Sequence, residues 1–169
     1  VVGKFGTAAD ISARALEYLS QRAPEIKTLQ LDMTKPLPFP DETFDLIFHP
    51  VSNCYVEKVV PIFAECFRVL KHGGILLCGL GNEINYLVDE NETVISNEMP
   101  FNPLTNDRYK KQLEEEDCGM QFSHTIEEQL GGQLKAGFVL TDIFGDTNGE
   151  GRLHEMNVET YYVTRAVKP

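Results

Sequence analysis

The sequence predicts an α/β fold in which a parallel or mostly parallel sheet is covered by helices. Helix-like and strand-like segments alternate along the chain, and this pattern is typical of such a sheet. The clearest helix spans residues 59–71, where Val59, Ile62 and Cys66 follow helical spacing. A short apolar strand precedes this helix and another follows it, as expected of a strand–helix–strand unit.

The other elements follow from apolar patterns and from the turn residues between them. The predicted strands cover residues 7–10, 26–31, 44–48, 75–78, 138–143 and 160–166. Helices are predicted at 12–22, 59–71 and 109–116, and a fourth opens at the capping box 125–128. Ser12 is expected to cap the first helix, and Gly73-Gly74 is expected to stop the second. Prolines 36, 38 and 40 place residues 35–40 in a loop.

Two segments are predicted to connect the regular elements as loops. Residues 80–124 form a long, acidic insert, and a loop of this length inside a compact domain is usually functional or carries short helices. Residues 145–151 are predicted to be a polar loop between the last two strands. In the fourth helix, Ile126, Leu130 and Leu134 share one face.

Composition and charge restrict the classes of function. The 169 residues suffice for one domain, predicted to cover 1–169, and the net charge of −11 with no basic cluster beyond Lys110-Lys111 disfavours nucleic acids and anionic membranes. A small-molecule partner fits better. The sequence has no long apolar run for a transmembrane helix, no signal peptide and no initiator Met. We therefore predict a cytoplasmic protein.

The cysteines and the spacing of potential ligands predict no metal site. None of the four cysteines forms a C-x-x-C pair, and Cys66 and Cys78 lie in apolar stretches, where they are expected to act as small core residues. A reducing compartment without disulfides is the expectation.

Acidic residues end two of the predicted strands, where open α/β sheets bind ligands. Asp10 could accept both hydroxyls of a ribose, or it could cap the following helix. Asp32 could accept from an exocyclic amine while the N–H of Met33 meets a ring nitrogen. Taken alone, the local pattern around Asp32 favours the alternative, an Asx turn that leads into the proline loop.

A third polar segment follows the strand at residues 44–48. It places His49, Ser52, Asn53 and Tyr55 in a loop before a helix, where at least one of them is expected to face a ligand. The alternative is that His49 pairs with backbone and Asn53 caps the helix.

Together these segments resemble the class I S-adenosylmethionine-dependent methyltransferases, specifically the type 11 small-molecule group. The resemblance rests on three stretches of sequence: Ala9-Asp10-Ile11-Ser12, Leu31-Asp32-Met33 with Leu37-Pro38-Phe39-Pro40-Asp41-Glu42-Thr43-Phe44-Asp45, and Glu65-Cys66-Phe67-Arg68-Val69-Leu70-Lys71-His72-Gly73-Gly74-Ile75-Leu76-Leu77. It implies a Rossmann-like sheet with helices on both faces, an antiparallel last strand and S-adenosyl-L-methionine as cofactor.

The resemblance also implies roles for single residues. Asp10 would hold the ribose, Ile11 would pack on the adenine, and Asp32 with Met33 would meet its edge. His49 and Pro50 would line the pocket near the sulfonium.

Methyl transfer to an O, N, S or C atom needs mainly positioning, and a general base helps only if the acceptor must lose a proton. His49, Tyr55 and His124 are candidates for that base by location.

The family's first strand and glycine-rich loop have no counterpart in the nine residues before Asp10. We therefore expect no useful activity unless upstream residues or strand exchange in a homodimer supply that strand. The competing hypotheses are a degenerate methyltransferase fold that binds a partner protein and a nicotinamide dehydrogenase, which the proline loop and the Arg68-to-Gly74 run disfavour.

Overall fold

The computed structural model describes residues 6–169, which divide into two compact units that meet between Pro38 and Phe39 in the sequence. The strands are β1 (Thr7–Asp10), β2 (Lys27–Gln30), β3 (Phe44–His49), β4 (Leu70–Gly81), β5 (Val139–Asp146) and β6 (Tyr161–Val167). The helices are α1 (Ala13–Arg22), α2 (Val60–Val69), α3 (Ile84–Leu87), α4 (Asp107–Glu115), α5 (Gly132–Ala136) and α6 (Gly151–Glu155). A 3₁₀ turn at Asn53–Tyr55 and a π-helical turn at Glu127–Gly131 complete the set.

The first unit is a strand–helix–strand unit. Strands β1 and β2 pair in parallel, and α1 connects them and packs on both. The Ser12 side chain accepts a hydrogen bond from the N–H of Ala15 at 3.2 Å, so Ser12 caps α1 as predicted. The buried side chain of α1 is Leu16, which faces the strands.

The second unit contains a four-stranded sheet in the order β3-β4-β6-β5. Strand β3 runs parallel to β4, whereas β6 is antiparallel to both of its neighbours. The predicted antiparallel last strand is therefore confirmed. The carboxyl ends of β3 and β4 and the start of β6 lie at the same edge of this sheet, because Gly81 pairs with Tyr161.

One face of this sheet holds the core of the unit. The β4 side chains Leu76, Cys78 and Leu80 are fully buried there. Helix α2 contacts β4 and packs against α5, where a Cβ on Gly132 would stand only 2.8 Å from the Phe63 ring. A glycine at this position therefore sets how closely the two helices approach.

The opposite face and the first edge of the sheet are more open. Leu46 and Phe48 of β3 are 51% and 69% exposed, and their β4 partners Ile75 and Leu77 share this face. Among residues 6–169, β1 and β3 each pair along one edge only, and no strand links the two sheets.

Arg68 ties the two most specific sequence stretches together. Its guanidinium donates to both carboxylate oxygens of Glu65 at 2.8 Å, and to the Phe39 carbonyl and the Asp41 carboxylate at 2.8 Å. Backbone bonds run alongside, from Thr43 N–H to the Val69 carbonyl at 2.8 Å. The proline loop is thus fixed to the C-terminal end of α2.

Gly73-Gly74 does not stop α2, contrary to the prediction. The helix ends at Val69, and Leu70 already belongs to β4 because it pairs with Phe44 of β3. Gly73 and Gly74 lie within the strand and exchange backbone hydrogen bonds with Lys168 at 2.8 and 3.0 Å. Pro61 stands in the first turn of α2, as predicted.

The face that Ile126, Leu130 and Leu134 share is not the buried face of the fourth helix. Ile126 and Leu134 are 64% and 54% exposed, whereas Gln129 and Gln133 are buried. The capping box itself is confirmed, since Thr125 and Glu128 exchange N–H to side-chain hydrogen bonds at 3.0 and 3.1 Å. The predicted polar loop at 145–151 is shorter in the structure. Strand β5 extends to Asp146, and helix α6 begins at Gly151.

The insert builds a small hydrophobic core of its own. Phe101, Tyr109 and Leu113 are buried, and the rings of Phe101 and Tyr109 stack with centroids 4.3 Å apart. Helix α4 confirms the predicted helix near 109–116. The insert therefore packs around its own buried side chains.

Candidate functional site

The first unit places Asp10 and Ile11 directly after β1. Asp10 accepts the N–H of Ser12 at 2.7 Å, so it orders the turn while Ser12 performs the capping. A carboxylate has about four acceptor positions, so one such bond leaves capacity for ribose hydroxyls. Ile11 is 67% exposed, and its carbonyl accepts the side-chain amide of Gln30 at 2.9 Å, which anchors the turn to β2.

The end of β2 forms the Asx turn that the local pattern allowed. One oxygen of Asp32 accepts both the N–H and the hydroxyl of Thr34, at 2.9 and 2.7 Å. These hydrogen bonds, led by the hydroxyl, lower the pKa of Asp32 below its ordinary value. Asp32 is thus a fixed carboxylate, half-buried next to Met33.

The second unit turns His49 inward at the end of β3. Its Nε2 lies 2.7 Å from the side-chain oxygen of Asn53. Because an amide oxygen only accepts, Nε2 carries the proton and Nδ1 keeps the lone pair. Burial lowers the pKa of His49 in spite of this hydrogen bond, which favours the neutral imidazole.

Both parts of the alternative interpretation for this segment are wrong. His49 pairs with a side chain rather than with backbone, and Asn53 does not cap the next helix, since α2 follows Val59. Asn53 instead begins the 3₁₀ turn and is 2% exposed.

The loop after β3 passes closely over β4. A Cβ on Gly79 would lie 3.2 Å from the Val51 side chain and 3.3 Å from its backbone nitrogen. Gly79 therefore lets Pro50 and Val51 cross this strand, and Pro50 remains exposed. Tyr55, at the end of the 3₁₀ turn, is 56% exposed.

The end of the insert meets this same loop. His124 is 5% exposed, and its Nε2 lies 3.0 Å from the backbone carbonyl of Asn53. Phe122 N–H donates to the Cys54 carbonyl at 2.7 Å. The structure thus brings two of the three predicted base candidates, His49 and His124, onto one residue, Asn53, whereas Tyr55 points to a more exposed position.

Two residues that the sequence did not single out complete this region. Gln129 is 2% exposed, and its side-chain nitrogen donates to the carbonyls of Gly81 and His124 at 3.0 Å each. Glu83 follows the end of β4, where burial and the charge of Glu128 raise the pKa of its carboxyl, partly offset by His124. We call Asn53, Glu83, His124 and Gln129 the polar cluster.

An open polar cavity of about 530 Å³ lies beside α3, α6 and the start of β6. Its lining includes the acidic side chains Glu90, Glu92 and Glu150, together with Asn85, Arg152 and Tyr161. Glu92 is already committed, because its carboxylate accepts the N–H of Leu153 at 2.7 Å and the amide of Asn148 at 3.2 Å.

Residues 6–169 contain neither a group of potential metal ligands nor a membrane-spanning helix. No His, Cys, Asp and Glu side chains there are grouped closely enough to hold a metal ion. No helix in that part of the chain is long and apolar enough to cross a membrane. Cys66 and Cys78 are buried and unpaired in the core, and burial raises the pKa of Cys66 to about 12.

Known methyltransferases resemble this chain in sequence. Residues 2–78 match the model of a methyltransferase domain, the type 11 methyltransferase family. The uncharacterized methyltransferase YbaJ of Bacillus subtilis (strain 168) is 37% identical over 150 residues, which are 85% of this chain and 58% of the relative. The chain thus spans somewhat more than half the length of this relative.

Solved structures share the fold. An S-adenosylmethionine-dependent methyltransferase from Mesorhizobium loti superposes with a TM-score of 0.73 at 17% identity, covering 97% of this chain and 80% of that one. Geranyl diphosphate C-methyltransferase from Streptomyces coelicolor A3(2), solved with Mg²⁺, geranyl diphosphate and S-adenosyl-L-homocysteine, gives 0.64 at 16% identity, covering 96% and 63%. Residues 2–78 are therefore similar in sequence to the type 11 methyltransferase domain, and the chain shares the fold of S-adenosylmethionine-dependent methyltransferases.

Proposed function

We propose that this chain takes part in the transfer of a methyl group from S-adenosyl-L-methionine to a small-molecule acceptor. The observation that carries the proposal is the turn after β1, where Asp10 and the largely exposed Ile11 stand together in a sequence that matches the methyltransferase domain. When bound, the cofactor supplies a methyl group already activated on a sulfonium.

The residues of the first unit fit the nucleoside end of that cofactor. Asp10 has acceptor capacity beyond Ser12, and Ile11 offers an apolar side chain to an adenine. Asp32 is held as a carboxylate by Thr34, so it can accept from an exocyclic amine while Met33 N–H serves a ring nitrogen. The Asx turn and the ligand-binding role of Asp32 are thus compatible.

The residues of the second unit serve the acceptor in this proposal. His49 and His124 are candidates for the proton acceptor, and Tyr55 remains a third. Residues 80–124 form a wall or lid, since the insert ends on the loop that follows β3. Pro50 lies at the exposed crossing of that loop over Gly79.

A small acceptor is supported by charge and by one relative. The net charge of −11 disfavours nucleic acids. The Streptomyces coelicolor neighbour was solved with geranyl diphosphate, a small molecule.

The test is calorimetric titration with S-adenosyl-L-homocysteine, for the chain as it stands and for a version extended upstream. Asp10→Ala should weaken binding by about 1–3 kcal/mol, because charge-assisted hydrogen bonds to the ribose are lost. The matched control is Asp45→Ala, since Asp45 also lies in a strand but pairs with Lys71 on the surface. Unchanged affinity in Asp10→Ala would remove this residue from the site, and no binding by either version would favour a non-enzymatic role.

A further inference from the structure

Three buried polar atoms in the polar cluster have no hydrogen-bond partner among residues 6–169. They are the side-chain nitrogen Nδ2 of Asn53 and the oxygens Oε1 of Glu83 and Gln129. Asn53 and Gln129 are each only 2% exposed. A buried polar atom without a hydrogen-bond partner destabilises the folded protein. A ligand that supplies the missing partner removes this penalty, which favours its binding.

These three atoms belong to one connected region. The Gln129 amide reaches the carbonyls of Gly81 and His124, and the His124 ring reaches the carbonyl of Asn53. Glu83 lies two residues beyond Gly81, and its carboxyl is close enough to Tyr162 to help raise the pKa of that hydroxyl. The region lies at the carboxyl ends of β3 and β4, which is where ligands bind to sheets of this kind.

Two carboxyls flank the cluster, and the His124 ring lies 3.9 Å from one of them, Glu128. Glu83 and Glu128 are both carboxyls, and within the described part of the chain no lysine or arginine forms an ion pair with either. An anionic head group would be repelled here. A hydroxyl would supply one hydrogen, which satisfies only one of the two orphan oxygens.

We propose that the polar cluster binds the amine of an acceptor molecule that carries an amino group next to an oxygen or ring-nitrogen acceptor. The amine has at least two N–H groups, and these donate to Oε1 of Glu83 and Oε1 of Gln129. The neighbouring acceptor atom takes the hydrogen of Asn53 Nδ2. This inference rests on the proposed function, because it identifies the acceptor class for that same methyl transfer.

The probes are three pyridines of matched shape: 2-(aminomethyl)pyridine, 2-(hydroxymethyl)pyridine and pyridine-2-carboxylate. Each is titrated into the ¹⁵N-labelled 169-residue chain, and the side-chain amide signals of Asn53 and Gln129 report binding. The aminomethyl compound should shift both signals and bind at least about tenfold more tightly than the other two. Glu83→Gln should weaken it about tenfold, whereas the control Glu90→Gln, in the open cavity, should leave it unchanged.

Several results would overturn the inference. These are equal binding of the three probes, tighter binding of the carboxylate, absence of shifts at the cluster up to the solubility of the probes, or equal losses in the two glutamine variants. If Glu83→Gln does not fold, the selectivity of the unaltered chain among the probes decides alone. Titration with S-adenosyl-L-homocysteine separates the two proposals, since its failure rejects methyl transfer while the probe selectivity still tests the amine site.

Discussion

Arg68→Ala tests the claim that one side chain joins the proline loop to the end of α2. Arg68 makes a two-bond contact with Glu65 and single bonds to the Phe39 carbonyl and to Asp41, all at 2.8 Å. Its side chain is 30% exposed and that of Glu65 is 24% exposed, whereas Asp41 is 74% exposed. The contacts to Glu65 and Phe39 are therefore the ones shielded from water.

The expected loss follows from these exposures. A hydrogen bond to a charged group contributes about 1.5–3 kcal/mol when shielded, and an exposed ion pair about 0–1 kcal/mol. Water replaces part of each contact in the variant, so we expect a net loss of about 2–3 kcal/mol. Lys71→Ala is the matched control, because Lys71 contacts both oxygens of Asp45 but the side chains are 46% and 83% exposed. Its loss should stay below about 0.5 kcal/mol.

The assay is urea unfolding followed by far-ultraviolet circular dichroism, since the sequence has no tryptophan. At a slope of about 2 kcal/mol per molar urea, Arg68→Ala should lower the midpoint by about 1 M. Lys71→Ala should shift it by about a quarter of that or less. If the two variants unfold at the same midpoint, Arg68 does not hold the loop and the reasoning fails.

Three further predictions concern the backbone, pH and the insert. Gly137→Ala should cost about 1–2 kcal/mol of unfolding free energy, and more than Gly149→Ala, since both have positive φ but only at Gly137 would a Cβ meet a ring, at 3.0 Å. Burial lowers the pKa of His49 below its ordinary 6.5, so the unfolded chain binds that proton more tightly, and stability present above 6.5 is lost as pH falls through the folded pKa. His49→Gln should flatten this acid-side loss in pH-dependent unfolding, and an unchanged pH profile would contradict the reasoning. Hydrogen exchange across residues 80–124 should slow when cofactor and acceptor bind, and unchanged protection would argue against a lid.

The elements whose local pattern agrees with their final environment could be predicted from the sequence. The capping Ser12, Pro61 in the first turn of α2 and the capping box at Thr125 all act through neighbours within a few residues. The antiparallel last strand followed from the family resemblance, and the sheet order confirms it. Binding of the cofactor by the residues that the resemblance implies stays a prediction.

The errors occurred where distant strands decide the outcome. Gly73 and Gly74 look like a helix stop, but their hydrogen bonds go to Lys168, nearly a hundred residues away. Gln129 and Gln133 look like surface residues, yet they are buried because Gly81, Tyr162 and Thr164 supply their partners. No short-range signal in the sequence indicates either arrangement.

The polar cluster was only partly predictable from the sequence. His49, Asn53 and His124 were singled out by their types and by their place near strand ends. Glu83 and Gln129 were missed, because a glutamate after a strand and a glutamine in a helix are ordinary surface residues in sequence. Only the folded arrangement shows that each has a buried oxygen without a hydrogen-bond partner in the described part of the chain.

The open edge of β3 has a consequence for handling the chain in solution. Along this edge the backbone N–H and C=O groups find no partner strand among residues 6–169, and Phe48 next to them is 69% exposed. An unpaired edge beside an apolar side chain is a template for the addition of another strand. The isolated chain should therefore associate as its concentration rises, which light scattering would measure as an increase in apparent molar mass. Phe48→Lys should delay this association, because it places a charge where a second molecule would pack.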